Sequence, residues 1–158
     1  MIHARAFLKY WLPVLIWMAL IFAGSSDSGS GPRSSRFIGP VVRWLVPAIS
    51  EPALERVVAV ARKAAHVTEY AMLAALLWRA RHGVARARVD RVGPNWNIGH
   101  ARFALIASAL YAMTDEIHQA FVPNRGPSLG DVFLDTAGAA FGLYLVWLYW
   151  RFRKRWRR

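Results

Sequence analysis

The apolar residues of this chain come in blocks: Trp11 to Ala23, Ala64 to Trp78, Phe103 to Met113, and Val132 to Trp150. A soluble core shows as apolar positions recurring every two residues in strands, or every three to four in helices. Blocks point instead to helices in apolar surroundings, and a membrane-crossing helix takes about 20 mostly apolar residues. Only the last block approaches that length unaided. The others reach it by taking in Lys9, Arg62, Lys63, Asp115 or Glu116. The reading therefore accepts charges at membrane depth. It gives an all-α membrane protein with four transmembrane helices, about residues 8–24, 60–80, 102–121 and 131–150, forming a single domain over 1–158.

Charge narrows the function classes. Against nine acidic residues stand 21 Lys and Arg, for a net charge of +12. Such a balance suits a nucleic-acid binder, but its distribution does not. Arg79, Arg81, Arg86, Arg88 and Arg91 follow one apolar block, and the tail from Arg151 to Arg158 follows another. Basic residues beside apolar spans set topology and favour anionic lipid headgroups. Nucleic acid is therefore not an expected partner. The chain has no cysteine, which excludes disulfides, thiolate catalysis and Cys-based metal sites. Arg5 and Lys9 ahead of Trp11 to Ala23 resemble a signal peptide. Trp17, Met18 and Phe22 suit a retained first helix better, and no small-x-small pair marks a cleavage point.

With four spans, both termini and the 81–101 loop share one side, and the positive-inside rule makes that side cytoplasmic. The 25–59 and 122–130 loops then face outward. The first of these opens on Ser25-Ser26-Asp27-Ser28-Gly29-Ser30-Gly31-Pro32, a flexible composition. Phe37 to Ile49 is too short to span and is expected to form a short helix in the interface. Ser50 resembles an N-cap, with Glu51 and Pro52 in the first turn of a helix running into span two.

The polar residues follow helical spacing. Lys63, His66 and Tyr70 share a face near the start of span two, bordered by Glu69. Asp115 and Gln119 lie four apart near the end of span three, beside Glu116. Ser128, Asp131, Asp135, Gly138 and Gly142 form one stripe from the start of span four, and Arg125 sits in the loop before it. In an antiparallel bundle these ends lie on one side of the membrane. Isolated charges in hydrocarbon cost at least about 2.5–3.5 kcal/mol each. The acids outnumber the cations, so a protonated carboxyl, a hydrated cleft or a bound cation is expected.

The ordered set Lys63-x-x-His66-x-x-Glu69-Tyr70, Asp115-Glu116-x-x-Gln119, Phe121-Val122-Pro123-x-Arg125, Asp131 and Gly138-x-x-x-Gly142 resembles the VanZ-like family of small membrane proteins. The resemblance covers roughly residues 10 to 148. Three positions depart from the family's usual pattern: Arg62 stands in place of Asp, Asn124 in place of Gly, and Asp135 in place of Asn. The resemblance implies a multi-pass protein of the bacterial cytoplasmic membrane, in a family named for an association with resistance to the glycopeptide teicoplanin. It implies no particular reaction.

Two roles follow for the cluster. Asp115, Glu116 and His66 are the candidates for acid–base chemistry. Lys63, Glu69, Tyr70, Gln119, Arg125, Asp131 and Asp135 are the candidates for holding a substrate, with the arginine suited to a bidentate anion. Each has a structural alternative. Lys63 can snorkel. Asp115, Glu116 and Gln119 can join helices, at about 0.6 kcal/mol per polar contact. Arg125 can pair with Asp115 or Asp131, and Asp131 fits a capping role three residues after Ser128. Gly138-x-x-x-Gly142 is most simply a close helix contact. No metal-ligand spacing such as His-Glu-x-x-His occurs, so neither metal nor other cofactor is expected. The expected partners are membrane lipids and a lipid-linked cell-wall precursor or glycopeptide. The expected function is binding or modifying an anionic envelope component on the outer side, whether or not as an enzyme. The alternative is a structural or partner-binding bundle.

Overall fold

A computed structural model describes residues 2–27, 31–88, 96–121 and 128–155, with side chains over 5–25, 36–87, 96–121 and 128–153. The described residues form five helices and no strand: α1 (Ile2–Asp27), α2 (Gly31–Leu45), α3 (Glu51–Arg88), α4 (Ile98–Gln119) and α5 (Leu129–Arg155).

Local chemistry sets several of these boundaries. Pro52 occupies the first turn of α3, where a missing N–H costs nothing. The Ser50 carbonyl accepts from the N–H groups of Ala53 and Leu54, as expected for the residue preceding a helix. Asn97 is extended, and its side chain accepts from the His100 N–H at 3.1 Å, capping α4. Ser128 does the same for α5, accepting from the Asp131 N–H at 3.3 Å.

Two sequence expectations change. The first helix continues through Ser25 to Asp27, into the segment read as flexible. The interfacial helix begins at Gly31 rather than near Phe37, and it contains Pro40. The stop comes at Leu45, just ahead of Pro47.

The centre of the molecule is α3, which packs against each of the other four helices, most extensively against α5. At 38 residues it is about 57 Å long, well beyond a hydrocarbon core of about 30 Å. Small residues bring the helices together. Ala101, Ala104 and Ala112 of α4 and Ala139 of α5 are buried with Leu73, Ala74 and Leu77 of α3. Gly138 lies so close to α3 that an added Cβ would come within 2.6 Å of the Val67 carbonyl oxygen. One at Gly142 would overlap the Ala71 carbonyl. The glycine stripe is therefore a close helix contact, as its spacing predicts.

The outside is apolar. Leu12, Leu15, Ile16 and Leu20 of α1 are exposed, as are Ile106, Leu110, Met113 and Ile117 of α4 and Phe133, Phe141 and Leu145 of α5. By length and composition α1 and α5 can cross a membrane. Little of either is buried, 11% over the apolar stretch of α1 and 28% over that of α5, unlike a mostly buried core helix. The charges of α3 and α4 keep those helices from meeting the same test of composition.

Candidate functional site

The start of the α3 polar face, the end of α4 and the start of α5 meet around a cavity of about 180 Å³. Arg62, Lys63 and His66 line it from α3. Glu116 and Gln119 line it from α4, and Asp131 and Asp135 from α5. The space takes several waters or one small polar group.

Lys63 reaches across to Asp131, Nζ to Oδ1 at 3.0 Å. The pair is partly solvated, with side chains 63% and 34% exposed. Its net contribution to stability is therefore at most about 1 kcal/mol. His66 Nδ1 lies 3.9 Å from Asp135 Oδ2 and 4.0 Å from Glu69 Oε2, too far for a hydrogen bond to either. A short movement would close either contact.

Below the cavity, Asp115 is 2% exposed and heavily engaged. Its Oδ2 accepts from Ser25 Oγ at 2.8 Å and from Gln119 Nε2 at 3.0 Å. Glu116 turns to a different helix, and its Oε2 accepts the Ser128 N–H at 2.8 Å. Ser128 Oγ in turn caps the Asp131 N–H. This reproduces the exchange of a capping box, with the acid supplied by a neighbouring helix. The expected cap by Asp131 is thereby corrected. Its carboxylate goes to Lys63, and Glu116 serves the start of α5 instead.

Three polar atoms in this region are buried without a hydrogen-bond partner: Tyr70 Oη, Asp115 Oδ1 and Asp135 Oδ1. Buried polar groups are ordinarily paired, so each calls for a water, a proton or a ligand atom. Asp115 and Asp135 belong to different helices, and the Oδ1 of each has no partner among the described residues. The acid excess expected from the sequence is thus localised to two carboxylates. Among the described residues, no three His, Asp or Glu side chains group closely enough to hold a metal ion.

A family model described as VanZ/LLP1 matches residues 10–151. The chain belongs to the VanZ/LLP1 family. No curated protein and no solved structure matches it. The VanZ/LLP1 family is membrane-associated, in keeping with the two helices apolar enough to span.

Within this VanZ/LLP1 protein the expected site residues divide. Lys63, His66, Glu116, Gln119, Asp131 and Asp135 line the cavity. Asp115 lies behind it and is joined to it by Gln119. Tyr70 is fully buried in the core beside the Tyr111 ring, and Glu69 stands beside His66 without lining the cavity. Arg125 lies outside the described residues.

Sequence reasoning missed three contributors. Arg62 lines the cavity from α3. Ser25 is the donor to Asp115, and Trp17 Nε1 donates to the Glu69 carbonyl at 2.9 Å. A signal for Ser25 existed. Val14, Met18, Ile21 and Ser25 continue a four-three-four spacing along the inner face of α1.

Proposed function

We propose that the cavity binds the anionic headgroup of a cell-envelope component at the outer face of the bacterial cytoplasmic membrane. The observation that carries this reading is the wall of Arg62 and Lys63, with His66 beside them, opposite Glu116, Asp131 and Asp135. Cations hold the phosphate or carboxylate of such a ligand, while the carboxylates accept its hydroxyl or amine hydrogens. Asp135, which lines the cavity, has an Oδ1 without a partner among the described residues and is the acceptor left over for that purpose.

The membrane placement draws on packing. Outward apolar residues at 106, 110, 113 and 117 follow helical spacing, whereas the inward face of α4 is Ala, Ser and acid. That inside-out pattern supports α4, and the central α3 with it, as two further spans beside α1 and α5. Exposed Phe37, Val41, Trp44 and Leu45 support an interfacial role for α2. Arg79, Arg81, Arg86, Arg151 and Arg153 mark the opposite end, which becomes the cytoplasmic side with both termini. The first helix belongs to the bundle in this reading, since it supplies Ser25 to Asp115.

Modification of the ligand is the stronger form of the proposal, with His66, Asp115 and Glu116 as the acid–base groups. Binding is better supported. Glu116 and Asp115 already hold structural hydrogen bonds, and His66 makes none with its neighbouring acids. The competing structural bundle predicts that every cluster substitution lowers stability. Lys63→Ala and Arg62→Ala in the full-length protein separate these readings, scored for membrane abundance, thermal stability in detergent and teicoplanin susceptibility. The binding reading expects abundance retained, a stability change within about 1 kcal/mol, and lost protection against teicoplanin. Loss of protection only in proportion to lost protein would overturn it.

A further inference from the structure

The far end of the bundle holds a second and larger cavity, about 430 Å³, between α1, α3 and α5. Its walls are Tyr10, Trp78, Arg79, His82, Arg86 and Trp150, with Gly83 and Ala87 completing it. Among the described residues no carboxylate lines it. In this respect it is the reverse of the first cavity.

His82 is the informative residue. It is 5% exposed, and neither ring nitrogen has a hydrogen-bond partner among the described residues. An imidazole always carries at least one N–H, so a buried ring with two idle nitrogens lacks a partner it needs. The ring is held in place. It stacks on Trp78 at 4.7 Å and 12°, and meets the His100 ring edge-on at 5.5 Å. His100 Nδ1 is also buried and unpartnered. Arg79 lies over the Tyr10 ring at 5.4 Å, which leaves its N–H edges free of any described acid.

We propose that this cavity binds a phosphate anion, its charge held by Arg79 and Arg86 and one oxygen hydrogen-bonded by the idle His82 imidazole. The fit is chemical. Guanidinium groups match phosphate oxygens in a fork geometry. Trp78 and Trp150 exclude water from one side, which strengthens the attraction. Independent support comes from the titration of the pair. Burial, then the nearby His100 and Arg86, hold His82 below its usual value, and burial and Arg81 do the same for His100. Burial is the larger cause at both rings, and the arginines beside them add positive charge that no acid among the described residues answers. The phosphodiester of an adjoining-leaflet headgroup that has no cation of its own, and free inorganic phosphate, both carry the required chemistry.

The test uses the full-length protein in detergent, followed by native mass spectrometry. Three probes are titrated separately: phosphatidylglycerol, phosphatidylcholine and inorganic phosphate. Variants are Arg79→Gln, Arg86→Gln, and Arg151→Gln, a cation lying over Trp147 that does not line the cavity. The wild type is expected to retain one anionic adduct, with affinity falling about tenfold in R79Q and R86Q and less than about twofold in R151Q. Binding of phosphatidylglycerol but not phosphate identifies a headgroup as the source, and binding of phosphate alone identifies the free anion. Either supports the site. Absence of any adduct, equal retention of phosphatidylcholine, or equal loss in all three variants would overturn it. None of these readouts depends on the cavity at the other end.

Discussion

At one end of the bundle carboxylates are buried, and at the other end cations gather. Asp115 and Asp135 are each 2% exposed; Asp115 has two donors, whereas Asp135 has His66 nearby but beyond hydrogen-bond distance. Ser25, Gln119 and the Ser128 backbone N–H serve the α4 acids, and Lys63 serves Asp131. The basic end has no such network among the described residues. Arg79, Arg81 and Arg153 lie over Tyr10, Phe103 and Trp150. An arginine can cover an aromatic face and keep its edge in water, whereas a short carboxylate cannot reach out of the bundle. The contrast is therefore one of side-chain length as much as of sign. Acids here must be satisfied inside. Arginines can be satisfied outside.

Three changes would break or sharpen this contrast. The largest effect belongs to Gly138→Val, because its side chain would meet the Val67 backbone beside the cleft. Overpacking of this kind costs about 1–3 kcal/mol or more. A fall in detergent melting temperature, together with exchange protection lost at the α4 end and start of α5 but kept at Trp78, would show that the two ends are separately built. Uniform loss of protection along α3 would erase that distinction.

Next come Asp115→Asn and Ser25→Ala. The amide keeps the shape of Asp115 but lacks the charge that its two donors address, and is expected to cost about 1–3 kcal/mol. S25A removes one donor and is expected to cost about 1 kcal/mol. If the two act through the same hydrogen bond, the double variant loses less than the sum of the singles. Strict additivity in a thermal-melt cycle would argue that Ser25 and Asp115 do not interact.

The smallest effect lies at the basic end. Burial lowers His82 and His100 from their usual value of 6.5, so the unfolded chain takes up protons at higher pH than the folded one. The stability their neutral forms contribute is complete above 6.5 and is lost as pH falls through the lowered folded values. Melting temperature should drop as pH falls below about 6.5, and less so in His82→Phe. An identical profile for the variant would place the sensitivity elsewhere.

Much of the fold was legible in the sequence because helical spacing and proline and cap chemistry act locally. Lys63, His66 and Tyr70 recur at intervals that put them on one face, and antiparallel connection alone brings that end of α3 beside Gln119 and Asp131. Gly138 and Gly142 announced a close contact, and the structure supplies its partner in Val67 and Ala71. Other features were beyond reach. Pro40 inside α2 and the extension of α1 to Asp27 depend on how chain ends dock. Arg62 lines the cavity only because of the rotation α3 adopts against α5.

By itself, then, the sequence determined which helices exist and at which end each carries its ionisable residues, since both follow from residues a few positions apart. Partner choice was decided by the tertiary structure alone. Whether Asp131 caps its own helix or meets Lys63, and whether Glu116 joins Asp115 or serves Ser128, turns on about an ångström of helix shift and rotation. Hydrogen bonds are sensitive to displacements of that size, and the periodicity of a sequence is not.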